Sequence, residues 1–183
     1  MEFAVSCIGS REMGTEEKRQ NCFKLGAWIV KCGGTLHSGN ASNGQDPLDS
    51  ADFAFAAGGN SIDPTKVYLY QPWGGRGFNL HQIVEGNHVT LPPYPEWMVD
   101  LTVKLHPRGP FLKRGALALH TRNVAIVHPT QLCLAYPSDK VGGGGTGQGM
   151  RVATDRGVEL INLNHCGTDA LRALCERIRK GLR

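Results

Sequence analysis

Aromatic residues are scarce in this sequence: 3 Trp, 4 Tyr and 6 Phe make up 7% of its 183 residues. A protein that holds a long strand of bases by stacking uses a row of such rings, so their scarcity ranks a nucleic-acid partner below a small ligand. The six cysteines (Cys7, Cys22, Cys32, Cys133, Cys166, Cys175) contain no CxxC pair and no regular spacing. That argues against a disulfide framework, and reduced core thiols in a cytoplasmic protein are expected. His165 beside Cys166 has no second ligand pair at finger-like spacing, so neither a metal site nor a cofactor is expected. No apolar run approaches membrane-spanning length, and the leading MEFAVSCIG is too short and wrongly flanked for a secretory signal. Neither charge dominates: 20 Lys and Arg against 16 Asp and Glu leave a formal +4, which permits an anionic partner without demanding one.

What the chain has in excess is glycine, 24 residues, dispersed among Val, Leu and Ile rather than gathered into one tract. Such dispersal points to tight turns and close backbone approaches, not disorder. With 40% apolar residues the chain can bury one good core, and a single domain over residues 1–183 is expected. Apolar runs predict strands over residues 2–8, 35–37, 66–70 (KVYLY), 132–136 (LCLAY) and 158–163 (VELINL). Helical spacing predicts helices over 16–32, 50–57, 96–106, 112–127, from 147 to 155, and a basic C-terminal helix capped by Thr168. Strands alternating with helices imply an α/β, Rossmann-like fold, a mostly parallel sheet with helices on both faces. Residues 71–95, rich in Pro and Gly, read as an irregular flap.

Three small-residue turns follow strands in this scheme: Gly9-Ser10-Arg11, Ser38-Gly39, and VGGGGTGQGMR over residues 141–151. Any one of them could serve chain reversal alone. Together they would line the carboxyl edge of the sheet, where helix N-termini attract anions. The GxGxxG match at Gly142, Gly144 and Gly147 carries little weight, because a run this dense in glycine matches almost automatically.

In these motifs the chain resembles the SLOG superfamily of Rossmann-like proteins, which includes DNA-processing protein A and the lonely-guy phosphoribohydrolases. The resemblance is carried by Gly9-Ser10-Arg11, Ser38-Gly39, the run ADFAFAAG over residues 51–58, Arg122-Asn123, Gly144-Gly145-Thr146 and the VELINL strand. Residues 71–110 match least. The phosphoribohydrolase branch carries PGGxGTxxE, whose glutamate assists N-glycosidic cleavage. Here Val141 stands at the proline and Gly149 at the glutamate. A glycine transfers no proton, so the resemblance leans away from an enzyme, unless Glu12 or Asp52 substitutes.

The anion-holding half of the site remains. Ligand contacts are expected from Gly9, Ser10, Arg11, Ser38, Gly39, Asp52, Arg122, Asn123, Gly144, Gly145, Thr146 and Gly147. Trp73 and Phe78 offer a base something to stack on, with Arg76 near the phosphates, or else pack in a core or interface; His81, His88 and His106 read as polar loop residues. Two partners fit. One is a small nucleotide, of ADP-ribose type or a cyclic signal, held by a sensor or a sequestering sponge. The other is single-stranded DNA, met by Lys104, His106, Arg108, Lys113 and Arg114 and by Arg172, Arg177, Arg179, Lys180 and Arg183 of the last helix. The superfamily resemblance further implies a homo-oligomer.

Overall fold

Every residue of LCLAY is buried, as a strand covered on both faces requires. A computed structural model of the chain describes residues 2–39, 41, 49–73, 87–90, 93–138 and 144–182. The strands β1 (Ala4–Gly9), β2 (Thr35–Ser38), β3 (Val67–Gln71), β4 (Asn87–Thr90), β5 (Leu132–Tyr136) and β6 (Glu159–Asn162) form one sheet in the order β4-β3-β2-β1-β5-β6. All neighbours pair in parallel. The chain therefore winds outward from β1 through β4, then returns to the other side of β1 for β5. The reversal opens a crevice between the carboxyl ends of β1 and β5.

The helices are α1 (Glu16–Lys31), α2 (Ala51–Asn60), α3 (Glu96–Leu105), α4 (Arg114–Val127), α5 (Gly144–Arg156) and α6 (Thr168–Arg179). Strand side chains alternate between two cores. Val5, Cys7, Leu36, Leu69, Leu132 and Leu134 join Ile29 of α1, Phe55 of α2 and Ile178 of α6. Ile8, Tyr70, Cys133 and Ala135 join Leu101 of α3, Val124 of α4 and Val152 of α5. Cys7, Cys22 and Cys133 are buried thiols, and Cys32, Cys166 and Cys175 are half-buried ones.

Helices α1 and α2 meet backbone to backbone. A Cβ on Gly26 would lie 2.1 Å from the Phe55 carbonyl oxygen, and one on Gly58 would lie 1.9 Å from that of Phe23. Only glycine permits this approach, which draws the start of α2, and with it Asp52, up to the end of β1. Thr15 caps α1 by accepting from the Lys18 N–H, with Glu16 and Glu17 in the first turn and Lys31 in the last.

Three sequence expectations need correction. The 71–95 stretch is not wholly irregular: Asn87–Thr90 is an edge strand on β3, too short and too polar to stand out as one. Helix α5 begins at Gly144 rather than 147. Thr168 is the first helical residue of α6 and the cap position belongs to Gly167, which supplies no side-chain bond. Near the former flap, the Tyr94 hydroxyl donates to the Pro72 carbonyl over 2.9 Å. Arg76, Phe78 and His81 lie outside the described residues, as does the side chain of His88.

Candidate functional site

A cleft of about 640 Å³ opens at the crevice between β1 and β5, a volume suited to a nucleotide-sized molecule. The end of β1 supplies Ile8, Gly9, Ser10, Arg11, Glu12 and Met13. Helix α1 adds Lys18, α2 adds Asp52, and α4 adds Ala116, Leu119, His120, Arg122 and Asn123. Tyr136, Pro137 and Ser138 after β5, and Gly144, Gly145 and Thr146 of α5, close the wall. Of the residues read from the sequence, Ser38, Gly39 and Gly147 are not among its lining.

Ser38 and Gly39 stand behind that wall. The Ser38 hydroxyl donates to the Cys7 carbonyl over 2.8 Å and so ties β2 to β1. Gly39 offers its carbonyl to Arg122 Nη1 over 3.2 Å, and a Cβ there would lie 2.7 Å from the guanidinium carbon and 2.9 Å from Asp52 Oδ2. Asp52 is buried and accepts from the Gly9 N–H over 2.9 Å and from the Ala41 N–H over 3.3 Å. Its carboxylate is therefore committed to holding the end of β1, with less left over for a ligand hydroxyl than the sequence suggested.

Arg122 is the centre of a brace. It is buried, and beyond Gly39 it donates from Nη2 to Asn123 Oδ1 over 3.3 Å, while Asn123 Nδ2 donates to the Gly145 carbonyl over 2.8 Å. Two consecutive residues of α4 thus tie the turn after β2 to the first turn of α5. Burial pushes the Asp52 carboxyl up, against the opposing pull of Arg122. Burial likewise lowers the Arg122 guanidinium, against the pull of Asp52. Both directions have one cause, the burial of the two groups away from water.

The first turn of α5 faces the cleft with N–H groups that have no intrahelical acceptor, the ordinary condition of a helix start and a favourable one for an anion. Arg11 is exposed nearby. The Ser10 hydroxyl donates to the Glu12 carbonyl over 2.7 Å and accepts from its N–H over 3.0 Å, and the Ser10 N–H goes to the Tyr136 carbonyl. The turn after β1 is thus internally bonded and offers the cleft the side chains of Arg11 and Glu12. Lys18 lies 5.4 Å from the centre of the Tyr136 ring.

Gly149, at the position of the phosphoribohydrolase glutamate, is buried where α5 crosses β1. A Cβ there would lie 2.4 Å from Ile8 Cδ1. The position faces Ile8, so neither a carboxylate nor the room for one is present. Among the described residues no group of His, Cys, Asp and Glu has a geometry able to hold a metal.

Sequence reasoning missed His120, which lines the cleft from α4, and also Tyr136, Lys18 and the apolar pair Ala116 and Leu119. The spacing 116, 119, 120, 123 is one helical face, but both faces of α4 are rich in apolar residues, so nothing marked this one. His106, read as a loop residue, packs on His120 with ring centres 4.3 Å apart and planes tilted by 47°.

The basic residues divide. Lys104 pairs with Asp155 at 2.7 Å, Arg172 with Asp169, Arg177 with Glu159 at 2.6 Å and Arg179 with Glu176. The last helix is thus largely self-neutralised. Arg108, Lys113 and Arg114, between α3 and α4, are exposed and have no carboxylate partner among the described residues; Phe111 between them is 78% exposed. A second concavity, about 520 Å³, lies beyond the amino end of β5 among His128, Gln131, Asp155 and Arg156, away from all the sequence motifs. No helix is long and apolar enough to cross a membrane among the described residues.

No protein-family model matches the chain, and no curated protein matches it. Solved structures do. DNA processing protein A from Helicobacter pylori, described with a unique single-stranded DNA binding mode, superposes with a TM-score of 0.59 at 17% identity over 97% of this chain and 73% of that one. The structural-genomics target TM1055 superposes with a TM-score of 0.57 at 16% identity over 94% of this chain and 80% of that one. At these identities the likeness is one of fold. It agrees with the Rossmann-like, DNA-processing-protein-A-like architecture expected from the motifs.

Proposed function

We propose that the chain binds a phosphate-bearing nucleotide, of ADP-ribose or cyclic type, in the cleft beside β1 and β5, as a sensor or a sequestering protein without hydrolytic chemistry. The observation that carries this reading is the brace from Gly39 through Arg122 and Asn123 to Gly145. It holds the start of α5 in a cleft that Arg11, Tyr136, Met13 and Leu119 also line, which supports an anion seat beside a mixed wall. Gly149 against Ile8 supports the absence of proton transfer.

The test is thermal stabilisation by AMP, ADP-ribose and 3′,5′-cyclic AMP. Arg11→Ala is the variant of choice, because Arg11 is exposed and its loss leaves the core intact, whereas Arg122→Ala would disturb the fold. A rise in melting temperature that Arg11→Ala abolishes supports the reading. If none of these nucleotides shifts melting, and protein incubated in a nucleotide-rich lysate releases no nucleotide on denaturation, the reading fails.

A second reading, single-stranded DNA, is favoured by one observation: exposed Phe111 set among Arg108, Lys113 and Arg114, exposed cations without a carboxylate partner among the described residues, at the start of α4. One ring with three cations is a stacking platform with phosphate contacts, on a fold shared with a DNA-binding protein. Steeply salt-dependent oligonucleotide binding, lost in Phe111→Ala with Lys113 and Arg114 neutralised, would support it. Binding indifferent to those changes would exclude this surface.

A further inference from the structure

His120 has a role that neither reading uses. It lines the cleft from α4 together with Ala116 and Leu119. Its Nδ1 is buried and has no hydrogen-bond partner. The ring packs at 4.3 Å on His106, whose own Nδ1 accepts from the Arg108 N–H over 3.1 Å. A neutral imidazole carries one N–H, and a buried N–H without an acceptor is rarer and more costly than a buried bare lone pair. The proton is therefore assigned to Nε2, the ring nitrogen that is not sealed off in this way.

The surroundings keep the ring neutral. Burial lowers its pKa to about 4, helped by His106 after α3, Arg151 of α5 and Arg122 of α4, all of which repel a further positive charge. Of the carboxylates in this part of the fold, Asp52 accepts from Gly9 and Ala41 beside Arg122, and Asp155, one turn beyond Arg151 on α5, is paired with Lys104. Arg151 spends its donors on the uncharged Gln148 Oε1, at 3.2 and 2.9 Å. The first turns of α4 thus line the cleft with apolar carbon from Ala116 and Leu119 and the uncharged ring of His120, while Arg122 and Asn123 further along are bonded into the brace, a composition that suits a heterocycle better than a phosphate.

Resting on the nucleotide reading of the cleft, we propose that His120 is a specificity-determining residue whose Nε2–H donates to a ring carbonyl of the base, so that the site selects oxo-purine nucleotides over amino-purine ones. An amino group at that position would set donor against donor and leave both unpaired.

The test is calorimetric binding of inosine, guanosine and adenosine monophosphates to the full chain. The first two are expected to bind about tenfold more tightly than the third, the size of one good hydrogen bond gained against one lost. In His120→Leu the three converge while phosphate-dependent affinity persists; in His120→Gln, whose amide keeps a donor, the preference is largely retained. A merely structural role would weaken all three ligands in parallel. Independently of any variant, nitrogen NMR of the wild-type ring should show Nε2 protonated and no titration near pH 6.5. Equal affinities in the wild type, a preference that survives His120→Leu, or a proton on Nδ1 each overturn the proposal. Absence of binding by all three nucleotides sinks the nucleotide reading itself, a distinct outcome.

Discussion

The Asn123 side-chain amide donates to the Gly145 carbonyl over 2.8 Å, so a residue of α4 sets the position of the first turn of α5. Everything the cleft can do with an anion depends on where that turn stands. Its neighbour Arg122 fixes Gly39 in the same way, and the two side chains are themselves joined.

Asn123→Ala should therefore lower stability by about 1 to 2 kcal/mol, since it leaves buried partners unsatisfied, and should reduce nucleotide-induced stabilisation as well. Thermal melts with and without AMP measure both. Asn123→Ala with unchanged melting would show that the brace bears no load.

Gly149→Ala should destabilise by about 1 to 3 kcal/mol, because the added methyl meets Ile8 Cδ1 at 2.4 Å and outweighs the gain in helix propensity. The obstacle is one methyl group at the end of a side chain. Adding Ile8→Val removes that carbon, and the next Ile8 atom lies 3.8 Å away, so the double variant should recover most of the loss. Urea titrations of the three variants close the cycle.

Gly26→Ala and Gly58→Ala should be worse, by roughly 3 kcal/mol or more each, and no trimming of a neighbour should rescue them. Their obstacles are the carbonyl oxygens of Phe55 and Phe23, at 2.1 and 1.9 Å, and backbone cannot be shortened. A soluble, normally melting Gly58→Ala would contradict the close packing of α1 on α2.

Acid should weaken the fold between about pH 6.5 and 4. Burial lowers the pKa of His37 from 6.5 to about 4, and His120 is lowered to the same value. Between those limits the unfolded chain binds more protons than the folded one. Stability is therefore complete above the unfolded pKa and falls as pH drops toward the folded one, by at most about 1.4 kcal/mol per pH unit for each group. His37 hydrogen-bonds through Nδ1 with the Tyr70 hydroxyl at 2.8 Å and through Nε2 with the Thr35 hydroxyl at 3.2 Å, with no carboxylate to stabilise a charge. His37→Gln should flatten the slope of stability against pH over this range, which denaturation at several pH values would show.

Much of this was legible in the sequence because it is local. Strand and helix periods, and the small-residue turns after β1 and β2, are written within a few residues of where they act, and the fold followed from their alternation. The edge strand β4 was not legible: three polar residues and Val89 become a strand only because β3 offers them a free edge. Arg122 and Asp52 were singled out as ligand contacts, yet their hydrogen bonds run largely to Gly39, Asn123, Gly9 and Ala41, a distribution of partners that no local pattern encodes. His120 escaped notice for the same reason, since a histidine on an apolar helix becomes a cleft wall only when β1, β5 and α5 close around it. By itself the sequence determined the elements and their layering, through side-chain periodicity. The tertiary structure alone decided which polar groups hold the loops and which face the cleft, because a hydrogen bond or a burial between residues 83 or 127 positions apart depends on packing across the whole sheet.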